Sequence, residues 1–435
     1  MKKWIVFCLS LMLALSLVAC GNSSGDDGDA AADGGEGDGN TQKNITLRVA
    51  WWGSQTRHDS TLEVIKMYEE ENPNVKIESE FTGFDGYWEK MSAQAAGNNL
   101  PDVMQQNFGE YLTQYADKEL LADMNEFVDD GTIDLSQFDE LIVDSGVVDG
   151  KLLGIPLGMN AYAAMYDPEM IESAGAELPD MDWTWDDFKD IAGKVAETYD
   201  YGSGAIDDGI RNGFDYFSRQ RGQAIFNDDG TGLGYEDDVL IDYWNLLLEL
   251  QDEGITPPPD VALEHQDVEN SLLAHGKAAF QFRWSNQGVA IASSAGKDLK
   301  MATVPGGPEA MFVKPAMFFS ISETSDKKEE AAKFINFFVN NVEAQRAQKL
   351  DRGVPPSSVV RDEMRSEVST MDQEIFEYVD YILENGSPID KSYPVEAAEV
   401  FVLMEEFNER VLYKELAPED AAKQFREQAE ALISK

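Results

Sequence analysis

The sequence predicts an α/β chain of two lobes with a helical C-terminal region. Three observations carry that expectation. Alternating β-branched runs, such as Ile45-Thr46-Leu47-Arg48-Val49-Ala50 and Val75 to Phe81, are interleaved with segments of helical periodicity. About 390 residues follow a polar N-terminal stretch, too many for one hydrophobic core. Beyond Pro315, the spacing of Ala331, Phe334, Ile335 and Phe338 marks one buried helix face at the start of a mostly helical remainder.

The elements follow in order. Lys2 and Lys3 precede an apolar run from Trp4 to Val18 that ends in Leu17-Val18-Ala19-Cys20, the layout of a secretory signal over residues 1–19. The run falls short of the roughly 18 to 20 apolar residues that cross a bilayer. A Cys directly after Leu-Val-Ala is similar to the lipobox of bacterial lipoproteins, and that similarity makes Cys20 the acylated first residue of the mature chain. A diacylglycerol thioether there would anchor stably, where a single acyl chain would not. Cys8 lies in the removed segment, so the mature chain has no pair for a disulfide. Residues 20–43 hold almost no apolar side chain and read as a flexible, acidic, Gly-rich tether. Gly21 to Gly25 fits G-x-S-x-G but lacks the strand and helix that a nucleophile elbow requires.

The strand at Ile45 leads to a helix carrying Leu62, Ile65, Met67 and Tyr68, stopped by Asn72-Pro73, and then to the Val75 strand. Such a strand-helix-strand unit is parallel and right-handed. A helix over Tyr87 to Ala96, a short strand at Asp102 to Gln105 and a helix over Tyr111 to Ala116 repeat the style. An extended run spans Leu152 to Tyr166. Thr184, with Asp187 three residues on, forms a capping box, and Leu240 to Leu250 is amphipathic. A helix near Val268 to His275 stops at Gly276, and a strand through Ala278 to Phe282 delivers Trp284 to a loop.

Composition removes some functions. A formal charge of -48, more negative still without Lys2 and Lys3, repels phosphate backbones, so no nucleic-acid partner is expected. His58, His265 and His275 are scattered, and Asp228-Asp229 lacks the spacing of a calcium loop, so neither metal nor cofactor is expected.

The order of segments resembles bacterial extracellular solute-binding proteins of the sugar-transporting, maltose-binding-protein-like class that serves ABC-type importers. Seven motifs in the family's order carry the resemblance over nearly the whole mature chain. They are Trp51-Trp52-Gly53; Val64-Ile65-x-x-Tyr68-Glu69-x-x-Asn72-Pro73; Phe84-Asp85-Gly86-Tyr87-Trp88; Gly97-Asn98-Asn99-Leu100-Pro101-Asp102-Val103; Gly150 to Leu157; Trp183-Thr184-Trp185-Asp186-Asp187-Phe188; and Glu330 to Ile335. The resemblance implies a two-lobe periplasmic-binding-protein-like fold with a hinge. The N-terminal lobe would comprise 44–158 with about 312–350, and the C-terminal lobe 159–311 with about 351–435. It also implies a monomer on the outer face of the cell membrane, held by its lipid anchor, that captures a sugar or oligosaccharide by hinge closure and delivers it to importer membrane subunits without catalysis. One departure stands out: many relatives place an Asp after the Pro101-Asp102-Val103 strand, where this chain has Gln105-Gln106-Asn107.

Ligands of open parallel sheets sit outside the strand ends, and sugars need rings for their C–H faces and fixed partners for their hydroxyls. Candidate ligand-binding residues are therefore Trp51 or Trp52 at the end of the first strand, with the other in the core, and Arg57, Phe84 and Tyr87 beside them. Gln106 and Asn107 follow the third strand, and Asn160 and Tyr162 lie in the run crossing between lobes. Asp215, Tyr216 and above all Trp284, as a stacking platform, come from the resemblance. The blander roles are core packing for the aromatics, Trp88 foremost, an ion pair for Arg57 and helix capping for Gln106 and Asn107. The alternative functions are a surface enzyme degrading polysaccharide, for which 82 acidic residues single out no catalytic pair, and a ligand-presenting partner of a membrane sensor.

Overall fold

The computed structural model describes residues 44–206, 210–389 and 393–434. The segments expected to be a secretory leader and a tether, with Cys20, lie outside the described residues. Ordered structure opens with β1 (Ile45–Trp52), α1 (Gln55–Glu71), β2 (Val75–Thr82), α2 (Phe84–Ala96), β3 (Val103–Gln106) and α3 (Glu110–Asp117). Ser54 caps α1 by accepting from the Arg57 N–H, and the Asn72 side chain closes its end by donating to the Tyr68 carbonyl at 3.0 Å. β1 runs parallel to β2 from Ile45↔Val75 to Trp52↔Thr82, and parallel to β3 on its other edge.

A small hairpin, β4 (Val147–Val148) and β5 (Lys151–Leu152), precedes β6 (Ile155–Pro156) and β7 (Met159–Tyr166). Four strands follow: β8 (Phe280–Trp284), β9 (Lys300–Ala302), β10 (Val313–Pro315) and β11 (Phe318–Ile321). Two main sheets result. The first has the order β2-β1-β3-β11-β6, with β11 antiparallel to β3 and β6. The second is built on β7, which pairs antiparallel with β8, β9 and β10. Every residue of β7 is buried, so Met-Asn-Ala-Tyr-Ala-Ala-Met-Tyr shows no polar alternation.

Three expectations differ from what forms. Val268 to His275 holds one helical turn, Val268–Asn270, because the Asn270 side chain bonds to the Glu264 carbonyl and to His275 instead of leaving a helical ladder to form. Trp284 is the last residue of β8, paired with Tyr162, and not a loop residue. The chain beyond Pro315 inserts β11 before its helices begin at Lys328–Asn340. The return to the first sheet accordingly falls after β10, between Pro315 and Phe318, a few residues later than 312.

Three segments lie side by side where the chain passes between the sheets. The Leu157 N–H donates to the Met317 carbonyl and the Ala316 N–H to Gly158, while Met159 and Val354 exchange both backbone hydrogen bonds at 2.8 and 2.9 Å. This approach needs glycines. A Cβ on Gly158 would sit 2.0 Å from the Arg352 carbonyl oxygen; one on Gly353, whose φ is +94°, would sit 2.2 Å from Asn160 Oδ1 and 2.4 Å from the Met159 carbonyl. Gly353→Ala is therefore expected to lower unfolding free energy by about 3 kcal/mol, read as an earlier urea midpoint at unchanged slope. An unshifted midpoint would show that this backbone approach is not a structural constraint.

Candidate functional site

A cavity of about 350 Å³ opens beside the crossover and draws its walls from both sheets. Asn107 and Phe108, immediately after β3, form one side. Trp284 at the end of β8, Lys314 on β10, Phe312 just before it, and Arg211, Asn212, Asp215 and Tyr216 from the helix Ile210–Arg219 form the other. Ile389, Tyr393 and the helix Ala397–Leu412, through Phe401, Val402 and Glu405, complete the lining.

The walls are aromatic and mutually braced. Tyr162, Tyr216 and Phe312 form a continuous stack, with centroids 5.6 and 5.0 Å apart, and Trp284 meets Tyr162 edge-on at 5.3 Å. Tyr162 is held from behind, since its hydroxyl donates to the Phe282 carbonyl and its own carbonyl accepts from the Tyr378 hydroxyl. Burial raises the Tyr216 hydroxyl well above the usual phenol range, so it stays protonated. Two cations lie against rings: Lys314 Nζ is 3.8 Å from the Trp284 centroid, and the Arg211 guanidinium is 4.0 Å from that of Phe401. Across the opening, Phe108 from the first sheet's side meets Tyr393 edge-on at 6.0 Å. Such a cavity offers flat apolar faces with amide, carboxylate and cationic groups between them, which suits an amphipathic neutral or mixed-charge solute.

Of the residues singled out from sequence, Asn107, Asp215, Tyr216 and Trp284 line this cavity, and Tyr162 backs it without reaching it. The others are elsewhere. Neither Trp51 nor Trp52 faces the cavity, because β1 is an interior strand covered on both faces. Trp51 donates its ring N–H to His58 Nδ1 and packs on Phe81; Trp52 sits among Phe84, Tyr87 and Trp88. Tyr87 is buried and donates to the Gln105 carbonyl at 2.7 Å, while Phe84, 41% exposed, lies outside the cavity against Trp52 and Tyr111. Arg57 is an ion-pair residue, bonded through Nε to the Asp351 carboxylate and through Nη2 to its carbonyl. Gln106 is fully buried with both amide atoms lacking a hydrogen-bond partner among the described residues, and Asn160 is buried against Gly353.

Sequence reasoning missed Arg211, Phe312, Lys314, Tyr393, Phe401 and Glu405. Lys314 had a signal: it is the only charged residue in the otherwise apolar run Met311 to Phe319. Among the described residues no group of three or more His, Cys, Asp and Glu could hold a metal ion, and no helix is long and apolar enough to cross a membrane.

The chain belongs to a family of bacterial extracellular solute-binding proteins, whose model matches residues 63–377. A solved family 1 extracellular solute-binding protein from Alicyclobacillus acidocaldarius is 31% identical, covers 91% of this chain and 100% of its own, and superposes with a TM-score of 0.74. The galactooligosaccharide-binding protein of Bacillus subtilis is 21% identical over 362 residues, 81% of this chain and 80% of that one. The ABC substrate-binding protein of Listeria monocytogenes, solved in complex with cycloalternan, shares the two-lobe fold at a TM-score of 0.77 and 23% identity, covering 90% of this chain and 100% of that one.

The Trp51–His58 bond makes a prediction about acid. Accepting at Nδ1 requires a neutral imidazole protonated at Nε2, and burial, reinforced by the nearby Arg57 charge, lowers the His58 pKa below 6.5. The unfolded chain then binds the extra proton first, so this contribution is complete above pH 6.5 and is lost as pH falls through the lower folded midpoint. An NMR titration should place the His58 midpoint below 6.5, and His58→Phe should remove one acid-sensitive component of stability. A midpoint at or above 6.5 would contradict the buried acceptor role.

Proposed function

We propose that this protein captures a carbohydrate outside the cell, an oligosaccharide in preference to a single sugar, and delivers it to an ABC-type membrane importer by binding alone, without catalysis. The observation that carries the reading is Trp284, part-buried at the end of β8 in a cavity walled by aromatic rings and interspersed with amide and charged groups. A pyranose presents C–H faces that rest on such rings and hydroxyls that need donors and acceptors of fixed position. The galactooligosaccharide ligand of the Bacillus subtilis relative agrees with this class.

In this reading the first sheet and the second sheet are the cores of two lobes. One comprises 44–158 with about 316–350, and the other takes the remainder. They close on ligand about the three crossing segments, and a ligand touching both lobes favours the closed state by its differential affinity. Cys20, after Leu17-Val18-Ala19, supplies the lipid anchor to the outer face of the membrane, and the protein works as a monomer.

The test is thermal melting of the protein against a panel of mono- and oligosaccharides, with product analysis of each stabilising sugar. A bound sugar at a hundredfold excess over Kd adds about 2.7 kcal/mol of apparent stability. Trp284→Ala should abolish most of that shift, measured against the variant's own ligand-free melting temperature, which the lost contacts to Tyr162 and Lys314 lower. A sugar recovered in shortened form would establish an enzyme instead, and no shift with any sugar would remove carbohydrates as the ligand class.

A further inference from the structure

A second cavity, of about 220 Å³, lies further along the helix Ala397–Leu412, and Glu405 borders both cavities. The lining residues Phe401, Glu405, Asn408 and Leu412 recur at intervals of four, three and four, so one face of this helix runs past both spaces. From Phe401 to Leu412 that face is about 16 Å long.

The floor of the second cavity is polar and built into the sheet. Gln281 and Arg283, two residues apart and therefore on one face of β8, are each 2% exposed. Among the described residues no protein group hydrogen-bonds to the Gln281 amide, although a buried amide ordinarily has a partner. Room for that amide depends on the residue opposite, since a Cβ on Gly204 would lie 2.2 Å from Gln281 Oε1. Asn408, 6% exposed, has its Oδ1 occupied by the Trp244 ring N–H at 3.1 Å, which leaves its Nδ2 as a donor. Tyr413, 51% exposed, stands at the rim.

The Gln281 and Asn408 amides, set at short range under an aromatic rim, supply donors and an acceptor of fixed position, which is what neighbouring hydroxyls on a sugar ring require. We propose that this cavity is a second carbohydrate subsite. It takes the outer units of an oligosaccharide whose inner units lie at Trp284, and so makes the protein selective for chains longer than the first cavity alone would hold. The proposal rests on the carbohydrate reading above and deepens it.

Calorimetric affinities for one sugar series of increasing chain length, measured on wild type, Gln281→Met and Tyr413→Ala, test it. In wild type, affinity should rise with length until the second cavity is filled. Both variants should lose about tenfold for the long members, one hydrogen-bonded or stacked contact's worth, and bind the short members as wild type does. Tyr413 is exposed, so its replacement does not threaten folding if the Gln281 variant proves unstable. Wild-type length dependence retained in Tyr413→Ala and in a folded Gln281→Met would overturn the subsite, as would equal binding of short and long members by wild type. Failure of every sugar to bind wild type would instead overturn the carbohydrate reading itself.

Discussion

The contact on which the rest of the molecule depends is the approach of Asp351 to Val354 against Gly158 to Asn160. Its backbone part is the Met159–Val354 exchange, and its side-chain part is Arg352, fully buried, which donates to Thr61 on α1 at 2.9 Å and to Gln105 on β3 at 3.2 and 3.3 Å. Burial lowers this guanidinium to a pKa of about 9, so it is still charged at neutral pH, and it is held by neutral oxygens. The nearest carboxylate, Asp351, is taken by Arg57, while the Asp351 carbonyl also accepts from Asn286 just beyond β8. One short segment is thereby tied to α1, β3, β7 and the residues after β8. Asn107 and Phe108 inherit their position from the first sheet, and Trp284 and Lys314 from the second. The spacing across the cavity is thus set at this crossing.

Around that crossing the cavity is assembled by rings that position one another. Phe282 and Tyr378 fix Tyr162; Tyr162 and Phe312 enclose Tyr216; Tyr162 limits how Trp284 can turn. Aromatic pairs of this geometry add about 0.5–1.5 kcal/mol beyond the area they bury. Rigidity also lowers the entropy cost of binding, because rings already held in place lose little freedom when a ligand arrives. The Tyr216 hydroxyl, buried without a hydrogen-bond partner among the described residues, is a cost that the stack on both its faces offsets.

Much of the first sheet, and one helix cap beyond it, was legible in sequence because the signals are local. The Ile45 and Val75 strands, the Asn72-Pro73 stop and the Thr184 capping box each depend on residues within a few positions. β11 was not legible: Phe318 to Ile321 is four residues, Phe-Phe-Ser-Ile, too short to show a period, and its pairing with β3 and β6 makes it a strand. The site shows the same division. The rule that ligands lie beyond strand ends pointed to Asn107 and Trp284, yet it also pointed to Trp51 and Trp52, since it does not say which strand ends are covered by other elements. Arg211, Tyr393, Phe401 and Glu405 come from helical and connecting segments that the rule never searches. What brings them to Trp284 is the long-range packing of Ala397–Leu412 on Ile210–Arg219, which no local pattern encodes.

The Lys314–Trp284 pair bears on what an affinity measured at this site would contain. The ammonium rests 3.8 Å from the indole centroid, and Tyr162 meets the same indole edge-on, so part of the ring's surface is already engaged before a ligand arrives. A sugar that stacks on the ring face holding Lys314 exchanges one contact for another. A cation over an indole is worth about 0.5–2 kcal/mol depending on its solvation, comparable with the stacking that replaces it. Net affinity then depends on where the displaced ammonium goes. Beside a ring hydroxyl it regains a hydrogen bond, and beside a carboxylate-bearing sugar it regains considerably more. Lys314 would therefore weight the site toward ligands carrying acceptors next to the stacked face, so that selectivity arises from what the protein must give up as well as from what it touches.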